Sequence, residues 1–337
     1  MLTLTVVIAT FNRGRLLARL MRDLAAQDLV DPTSARRAFD VILVDDGSRE
    51  PVRALAREWS LPFSIELIEQ ANAGQAAARD RGIRAARGEV IVVVDDDMQL
   101  PPHFLREHLR HHEDGATLVL GCIRPPEHLE QLHLFVRFLA WKLEQQQEAM
   151  RGGERPRGAS LCTGNVSFRR SDYLAVGGFD RSLAQSEDRD LGIRLEEAGA
   201  RIVFSYEAYT LHDSDHASLE RHLQRAFRYG IYDSRISAKY PRLEYINPWR
   251  FLFLVNPISR PFLLLAATSP GTGAVVSKVA MTLAQRLADA GWEAPALRGT
   301  TLVYGIEYFR GLRHEAGSLR SAIKGLSSYV RQTRDAT

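Results

Sequence analysis

The chain has 337 residues, of which 45% are hydrophobic and 25% charged, a composition typical of a globular protein rather than a disordered or collagenous one. Its formal net charge of +3 gives no reason to expect nucleic acid as a partner. The two cysteines, Cys122 and Cys162, form no CxxC metal motif. We expect both to be reduced thiols in a cytoplasmic protein without a signal peptide.

The first half of the sequence alternates strand and helix patterns. Apolar, β-branched runs predict strands at residues 4–9, 41–44, 65–68 and 90–94. Amphipathic segments between them predict helices at residues 14–26, 51–59 and 76–87. This alternation predicts an α/β fold with a mostly parallel central sheet, flanked by helices and joined by right-handed crossovers.

The second half has a different pattern. Strands are predicted at residues 117–123, 165–169 and 201–206, and helices at 129–150 and 188–198. From about residue 217 onward the pattern is helical. We therefore predict an α/β domain over residues 1–215 and a helical C-terminal region over residues 216–337.

One segment, residues 251–268, is apolar enough to suggest a membrane. It is interrupted by Asn256-Pro257 and by Ser259-Arg260-Pro261. Its uninterrupted apolar runs are far shorter than the roughly 20 residues that cross a bilayer. We predict no transmembrane helix, and an interfacial helix with nearby arginines stays open.

Acidic residues follow two neighbouring predicted strands. Asp45-Asp46-Gly47-Ser48 follows the second strand, and Asp95-Asp96-Asp97 follows the fourth. Three adjacent carboxylates repel one another, and a common use of such a cluster is to bind a hard divalent cation. The carboxyl ends of strands are also where open α/β sheets bind ligands. A carboxylate there can accept hydrogen bonds from a nucleobase or a ribose, whereas the simpler interpretation of Asp45-Asp46 is a capped turn.

These motifs, with several others, occur in the order found in the family 2 glycosyltransferases, which the sequence resembles over about residues 1–230. The motifs that carry the resemblance are Thr10-Phe11-Asn12-Arg13, Val44-Asp45-Asp46-Gly47-Ser48, Asn72-Ala73-Gly74, Ala78-Arg79-Asp80, Arg87-Gly88-Glu89, Asp95-Asp96-Asp97, Gly177-Gly178-Phe179-Asp180 and Ser186-Glu187-Asp188. The resemblance implies an inverting, metal-dependent enzyme of the GT-A fold, which is Rossmann-like, acting on a nucleotide sugar. Residues 1–215 would then be the catalytic domain, and residues 216–337 would lie on the acceptor side.

The resemblance also implies which residues bind the donor. Asp45 matches the acid that pairs with the base, and Gln75 matches a position near the nucleotide. The loop that lines the nucleobase matches Ala9, Thr10, Phe11 and Asn12.

For the metal, the resemblance points to the acid triplet and a downstream histidine. Asp97 would ligate Mg²⁺ or Mn²⁺, and Asp95 or Asp96 would face the ribose. His212 matches a histidine that completes the metal site in many members, and His216 is a competing candidate. Mg²⁺ prefers one or two carboxylates plus substrate phosphates to a cage made only of protein ligands.

Asp188 matches the general base of the family. It is predicted to begin a helix, where the helix dipole stabilises its anion. The alternative interpretation of Glu187-Asp188 is an acidic first turn with a capping role.

Three positions depart from the family pattern. Asp80 stands where Asn is usual, Met98 where Asp is frequent, and Ser186 where Gly is usual. None of them removes a proposed catalytic group.

A second possible metal site comes from the spacing of two other histidines. His108 and His112 are separated by four residues, as zinc ligands on one helix can be. No third ligand is evident, so we do not predict a zinc site.

We predict a hexosyltransferase-type enzyme that moves a sugar, most simply from a UDP-linked donor, to a glycan, lipid-linked or small-molecule hydroxyl. One alternative is a catalytically silent module that binds nucleotide sugars or carbohydrate. A nucleotidyltransferase is disfavoured because no Gly-rich phosphate loop with Arg or Lys occurs near the N-terminus. A homodimer and a peripheral contact with the inner face of a membrane are left open.

Overall fold

The computed structural model describes residues 2–29, 38–213 and 218–335. The strands of the described chain are β1 Leu4–Thr10, β2 Phe39–Asp45, β3 Ser64–Glu69, β4 Val90–Val94, β5 Met98–Gln99, β6 Leu118–Arg124, β7 Asn165–Arg169 and β8 Ile202–His212. Its α-helices are α1 Gly14–Ala25, α2 Val52–Ala56, α3 Gln75–Ala85, α4 Phe104–Glu113, α5 Leu134–Arg151, α6 Arg170–Ala175, α7 Glu187–Glu197, α8 Leu219–Lys239, α9 Arg250–Leu254, α10 Arg260–Thr268, α11 Pro270–Asp289, α12 Glu293–Glu315 and α13 Leu319–Asp335.

All eight strands form one mixed sheet in the order β3-β2-β1-β4-β7-β6-β8-β5. The predicted parallel arrangement holds for β3, β2, β1 and β4. β7 runs antiparallel to β4 and β6, and β5 runs antiparallel to β8. Strand direction was predictable only where a strand, a helix and a strand follow one another, because that connection favours parallel pairing.

Strand β4 shows that the sheet is buried on both faces. Val92 and Val94 lie in one apolar cluster with residues of α1 and α4. Ile91 and Val93 lie in a second cluster on the opposite face, with residues of α3 and α7. A strand covered on both faces has a continuous run of apolar residues instead of an alternating pattern. Val90–Val94 is such a run.

The chain divides into two compact units. The first, here called the α/β unit, comprises Met1–Glu127 and Lys142–Asp215. The second, the helical unit, comprises His128–Trp141 and His216–Thr337. Its main core contains many aromatic residues, among them buried Phe138, Tyr304 and Phe309. None of the described helices is both long enough and apolar enough to cross a bilayer.

The two histidines with zinc-like spacing belong to a buried hydrogen-bond network. His108 is held by Ser167 Oγ at Nδ1 (2.8 Å) and by Asn165 Oδ1 at Nε2 (2.9 Å). His112 contacts the same Ser167 hydroxyl through Nε2 (2.8 Å) and the carbonyl of Ala116 through Nδ1 (2.9 Å). All four ring nitrogens therefore have partners within the protein, and the pair braces α4 against β7.

This network predicts a pH-dependent loss of stability. Burial lowers the pKa of His108 from its ordinary value of 6.5 to about 3. Because the pKa of the folded state lies below that of the unfolded state, the stabilisation is complete above pH 6.5 and is lost as the pH falls toward 3. Between pH 6.5 and 3, we expect the free energy of unfolding to fall by up to about 1.4 kcal/mol for each unit by which the pH is lowered, because of this residue.

Urea denaturation at a series of pH values would test this expectation. His108→Gln should flatten the acid limb of the stability curve, whereas His128→Gln, a change at an exposed histidine, should leave it as steep as in the wild type. An unchanged slope in His108→Gln would contradict the assignment.

Candidate active site

Thr10 is the point where the ends of β1, β2 and β4 meet. The strand register places Thr10 opposite Asp45. The Thr10 hydroxyl donates a hydrogen bond of 2.6 Å to Oδ2 of Asp96, just beyond the end of β4. The two strands that lead to the acidic motifs are not neighbours, as the sequence suggested, because β1 lies between them. Thr10 of β1 links the two motifs through its strand pairing with Asp45 and its side-chain hydrogen bond to Asp96.

The loops after β1 and β2 are fixed to each other. The carboxylate of Asp45 accepts the backbone N–H groups of Ser48 (2.9 Å) and Val52 (3.1 Å). Asn12 donates its N–H to the Ser48 hydroxyl, and its side-chain oxygen accepts the N–H of Arg49, both at 2.9 Å. Asn12 lies in the left-handed region at φ 56°, which Asn tolerates better than most residues. These contacts hold the Asp45 carboxylate in one orientation.

Asp46, which received no separate role from the sequence, organises the next loop. Its carboxylate accepts hydrogen bonds from the Gln70 amide (2.7 Å) and from the backbone N–H groups of Ala73 and Gly74 (2.9 Å each). Three donors to one buried carboxylate fix the loop that leads to Gln75, the exposed first residue of α3. The acidic pair at the end of β2, Asp45 and Asp46, thus fixes two loops.

A buried arginine on α3 joins two acidic motifs that are far apart in sequence. Arg79 forms an ion pair with Oδ1 of Asp95 and a second one, at 3.4 Å, with Oε1 of Glu187. Burial alone would lower the pKa of Arg79, but the charges of Asp95, Glu187 and Asp188 outweigh it and raise the pKa above its usual range. The sequence singled out Arg79 only as part of a motif, and its bridging role was not predicted.

Asp80, the residue after Arg79, positions the motif Gly177-Gly178 that precedes α7. Its carboxylate accepts the hydroxyl of Tyr173 (2.7 Å) and Nε of Arg84 (3.0 Å). Gly178 has φ +79°, and a Cβ there would lie 2.7 Å from Oδ1 of Asp80. Only glycine fits this approach without displacing the carboxylate, so Asp80 and Gly178 together position the loop that enters α7.

Helix α7 begins with the predicted general base in its first turn. Ser186 precedes the helix in the left-handed region at φ 63°, which explains why the family pattern has glycine at this position. Asp188 is half-buried and accepts the N–H of Arg189 at 2.7 Å. The positive end of the helix dipole stabilises the carboxylate there.

The remaining acids of the triplet lie against an arginine and a histidine. Nη1 of Arg13 is 3.0 Å from Oδ1 of Asp96 and 2.8 Å from Oδ2 of Asp97. Nε2 of His212 is 3.5 Å from the same Asp97 oxygen, because the pairing of β5 with β8 sets His212 opposite Met98. Burial raises the pKa of Asp96 to about 6, although Thr10 and Arg13 oppose the shift. The sequence did not predict that Arg13 reaches this cluster.

The side chains at this site suit a cation that takes most of its ligands from substrate and water. Among the residues that the structure describes, no group of three or more His, Cys, Asp or Glu side chains is arranged to hold a metal. The converging Asp97 carboxylate and His212 imidazole fit a divalent ion that takes its other ligands from phosphates and water. His216 lies outside the described residues, so its candidacy has no structural counterpart.

Arg13 should compete with a metal for these carboxylates. We expect Arg13→Gln to bind Mn²⁺ about ten-fold more tightly than the wild type in the absence of nucleotide, because a positive charge in contact with Asp96 and Asp97 is removed. Calorimetric titration with Mn²⁺ measures this affinity. Arg15→Gln, a change at an exposed position of α1, is the matched control, and equal or weaker binding by Arg13→Gln would contradict the prediction.

The fold is the GT-A fold found in glycosyltransferases. The structure resembles that of the mannosyltransferase PcManGT from Pyrobaculum calidifontis in complex with GDP-Man and Mn²⁺, with a TM-score of 0.60 at 17% identity, over 89% of this chain and 86% of that one. It also resembles residues 1–349 of S. aureus TarS in complex with UDP, with a TM-score of 0.50 at 14% identity, over 93% and 90% of the two chains. At these identities the likeness establishes the fold alone, and it confirms the predicted fold class.

The chain belongs to glycosyltransferase family 2. The family model described as Glycosyl transferase family 2 matches residues 5–174, and the one described as Glycosyl transferase family group 2 matches residues 90–288. Validoxylamine A glucosyltransferase from Streptomyces hygroscopicus subsp. jinggangensis is 28% identical over 237 residues, covering 61% of this chain and 54% of that protein. Chondroitin synthase from Escherichia coli is 25% identical over 230 residues, covering 58% and 32%. The chain thus spans about half the length or less of these relatives. The predicted family and its general class, a glycosyltransferase, are confirmed.

Proposed function

We propose that this chain transfers a sugar from a nucleotide-linked donor to an acceptor hydroxyl with inversion. The observation that carries the proposal is the joining of three acidic motifs at one edge of the sheet. Thr10 links the end of β2 to Asp96, and Arg79 links Asp95 to Glu187 at the start of α7. These contacts fix the positions of the proposed donor-side acids, Asp95 and Asp96, relative to the start of α7 on the proposed acceptor side. Displacement at a sugar carbon requires such a fixed geometry.

The loops after β1 and β2 are the proposed base-binding site. Phe11 is 45% exposed, so its ring has an open face on which a base can stack. The oriented carboxylate of Asp45 can accept a base N–H in addition to its backbone donors, because a carboxylate has about four acceptor sites. Ala9, Asn12 and Gln75 complete this side of the proposed site. We assign a UDP-linked donor, and the UDP complex of TarS supports that choice, whereas the GDP-Man complex of PcManGT makes GDP the comparison to test.

The diphosphate is proposed to lie next to the acid triplet. A divalent cation there, Mg²⁺ or Mn²⁺, would offset the charge that develops on the leaving diphosphate. Asp97 and His212 are the residues that would hold it, with Asp95 or Asp96 toward the ribose. Arg13 is close enough to the triplet to contact phosphate oxygens instead of carboxylates once a donor arrives.

Asp188 is the proposed general base. Inversion requires that the acceptor hydroxyl attack from the side opposite the leaving group, with a base within hydrogen-bond reach of its proton. Asp188 lies in the first turn of α7, next to Glu187, whose carboxylate is held by Arg79. The acceptor proton would pass to a carboxylate oxygen of Asp188 as the new glycosidic bond forms and the bond to the diphosphate breaks.

The transferred group is proposed to be a hexosyl unit. The relatives support this class, since one is named a glucosyltransferase and others are chondroitin and hyaluronan synthases. Those names include a small-molecule and a polysaccharide acceptor, so an acceptor hydroxyl on a small molecule, a glycan or a lipid-linked sugar follows from the same site chemistry. A cytoplasmic location and a homodimer stay predictions.

A thermal-shift screen followed by a product assay tests the proposal. UDP-hexoses with Mn²⁺ should raise the melting temperature by mass action, which amounts to about 2.7 kcal/mol at a ligand concentration 100 times the Kd. The donor that gives the largest shift should then yield free UDP when acceptor hydroxyls are supplied. Binding without UDP release over a broad acceptor panel would favour the silent binding module. Release of pyrophosphate when UTP and a hexose 1-phosphate are supplied in place of the UDP-hexose would indicate a nucleotidyltransferase.

A further inference from the structure

Exposed apolar side chains are concentrated in the helical unit. Of the large apolar residues of the described chain that are strongly exposed, all but Phe11 belong to that unit. The most exposed lie at the end of α9 and in the turn before α10, where Leu254 is 65% and Ile258 78% exposed. Phe253 and Phe262 flank them and are also exposed. Contiguous exposed apolar side chains of this kind mark interaction surfaces.

The next helix continues the apolar exposure. Val275, Val279 and Leu283 on α11 are exposed and are spaced at intervals of four residues, which places them along one side of the helix. α10 packs against α9, α11 and α13 within the helical unit. We call the exposed side chains of α9, the turn 257–259, α10 and α11 the basic apolar face.

The charges on this face are mostly positive, and its one acid is Asp289 at the end of α11. Between Glu244 and Asp289 the sequence contains no acidic residue, whereas it contains Arg250, Arg260, Lys278 and Arg286. The adjoining helix α13 adds further exposed cations at its start, Arg320 and Lys324.

Arg260 lies next to the exposed ring of Phe253. The guanidinium of Arg260 lies 5.9 Å from the ring centre of Phe253 and donates to the Phe253 carbonyl at 3.3 Å. Arg250 donates to the carbonyl of Tyr245 at 3.2 Å. The ring of Phe253 in turn packs on Tyr329 of α13, with 5.6 Å between the ring centres. Positive charge and exposed apolar surface are therefore in direct contact at Arg260 and Phe253.

We propose that the basic apolar face binds the surface of an anionic lipid bilayer. Leu254 and Ile258 would enter the boundary between headgroups and acyl chains, and the flanking arginines and lysines would contact the lipid phosphates. Long basic side chains can keep their charge at the headgroups while their stems lie on apolar surface.

Charge favours a lipid surface over a second copy of this chain. In a symmetric dimer the same face would meet itself, and its four cations would approach their counterparts with only Asp289 to offset them. An anionic bilayer supplies the missing negative charge. The inference is independent of the proposed function, since vesicle binding is measured without donor or acceptor.

Co-sedimentation of the full chain with vesicles tests the inference. We expect binding to vesicles of phosphatidylcholine mixed with phosphatidylglycerol, weaker binding to pure phosphatidylcholine, and loss of binding as salt screens the charges. The double variant Leu254→Gln/Ile258→Gln should bind mixed vesicles at least about ten-fold more weakly. Arg250→Gln/Lys278→Gln should weaken binding and reduce its salt dependence.

Leu219→Gln is the matched control, because Leu219 is an exposed leucine of the helical unit outside the face, and it should bind as the wild type does. Circular dichroism melting of each variant separates a lost contact from a lost fold. The inference is overturned if the wild type does not bind mixed vesicles, or if the correctly folded double variant binds as well as Leu219→Gln. It is also overturned if light scattering shows a wild-type dimer that the double variant abolishes while neither binds vesicles.

Discussion

Asp188→Asn should lower the rate of sugar transfer by about 10²–10⁴-fold while leaving donor affinity nearly unchanged, as expected when a general base is removed. The amide cannot take the acceptor proton, yet it occupies the same volume and can still accept the N–H of Arg189 that the carboxylate accepts at 2.7 Å. The loss should therefore appear in kcat rather than in the Kd of the donor. The initial rate of UDP release and a calorimetric titration with the donor measure the two quantities.

The control for this variant is Asp172→Asn. Asp172 is also an acid in the first turn of a helix, α6, so it matches the change in charge and in dipole interaction without belonging to the acidic edge. Its rate should stay close to that of the wild type. Full activity in Asp188→Asn with an unchanged melting temperature would remove Asp188 from the mechanism.

Arg79→Met should destabilise the protein by about 1–3 kcal/mol, because it leaves the half-buried carboxylates of Asp95 and Glu187 without the cation between them. Arg79 is buried, and its guanidinium contacts both Asp95 and Glu187. Methionine fills much of the space of the arginine stem but supplies no donor. Urea denaturation measures the change in unfolding free energy.

Transfer should be lost along with stability, even at temperatures where Arg79→Met is folded, because Asp95 and the start of α7 lose their common anchor. Arg79→Lys keeps the charge but not the planar fork that reaches two acids at once, so it should recover part of the stability and little of the activity. Arg81→Met, at an exposed position two residues along α3, should change neither. A stable and active Arg79→Met would show that the two acidic motifs are positioned independently.

The acidic edge was predictable because it depends on strand ends. The runs at residues 41–44 and 90–94 predicted two buried strands, and the acids that follow them had to lie at the same edge once the strands were parallel. The structure confirms this placement through the Thr10–Asp45 register and the Thr10–Asp96 hydrogen bond. His212 was singled out from the family resemblance, and the structure places it 3.5 Å from Asp97; its role in metal binding stays a prediction.

The contacts made by long side chains were not predictable. Arg13 and Arg79 each reach acids more than fifteen residues away, and no local pattern specifies which carboxylate an arginine will contact. Asp46 received no role of its own from the sequence, but its carboxylate holds the loop before α3. The antiparallel direction of β7 was also missed, since a short apolar strand carries no signal of its direction.

The central claim is that the acid triplet binds a divalent cation together with the diphosphate of a nucleotide sugar. Calorimetric titration of the wild type and Asp97→Asn with UDP, each with and without Mn²⁺, tests it most directly. We expect Mn²⁺ to tighten UDP binding to the wild type at least about ten-fold and to have no such effect on Asp97→Asn. Equal UDP affinity with and without Mn²⁺ in the wild type, or the same Mn²⁺ effect in both proteins, would contradict the claim.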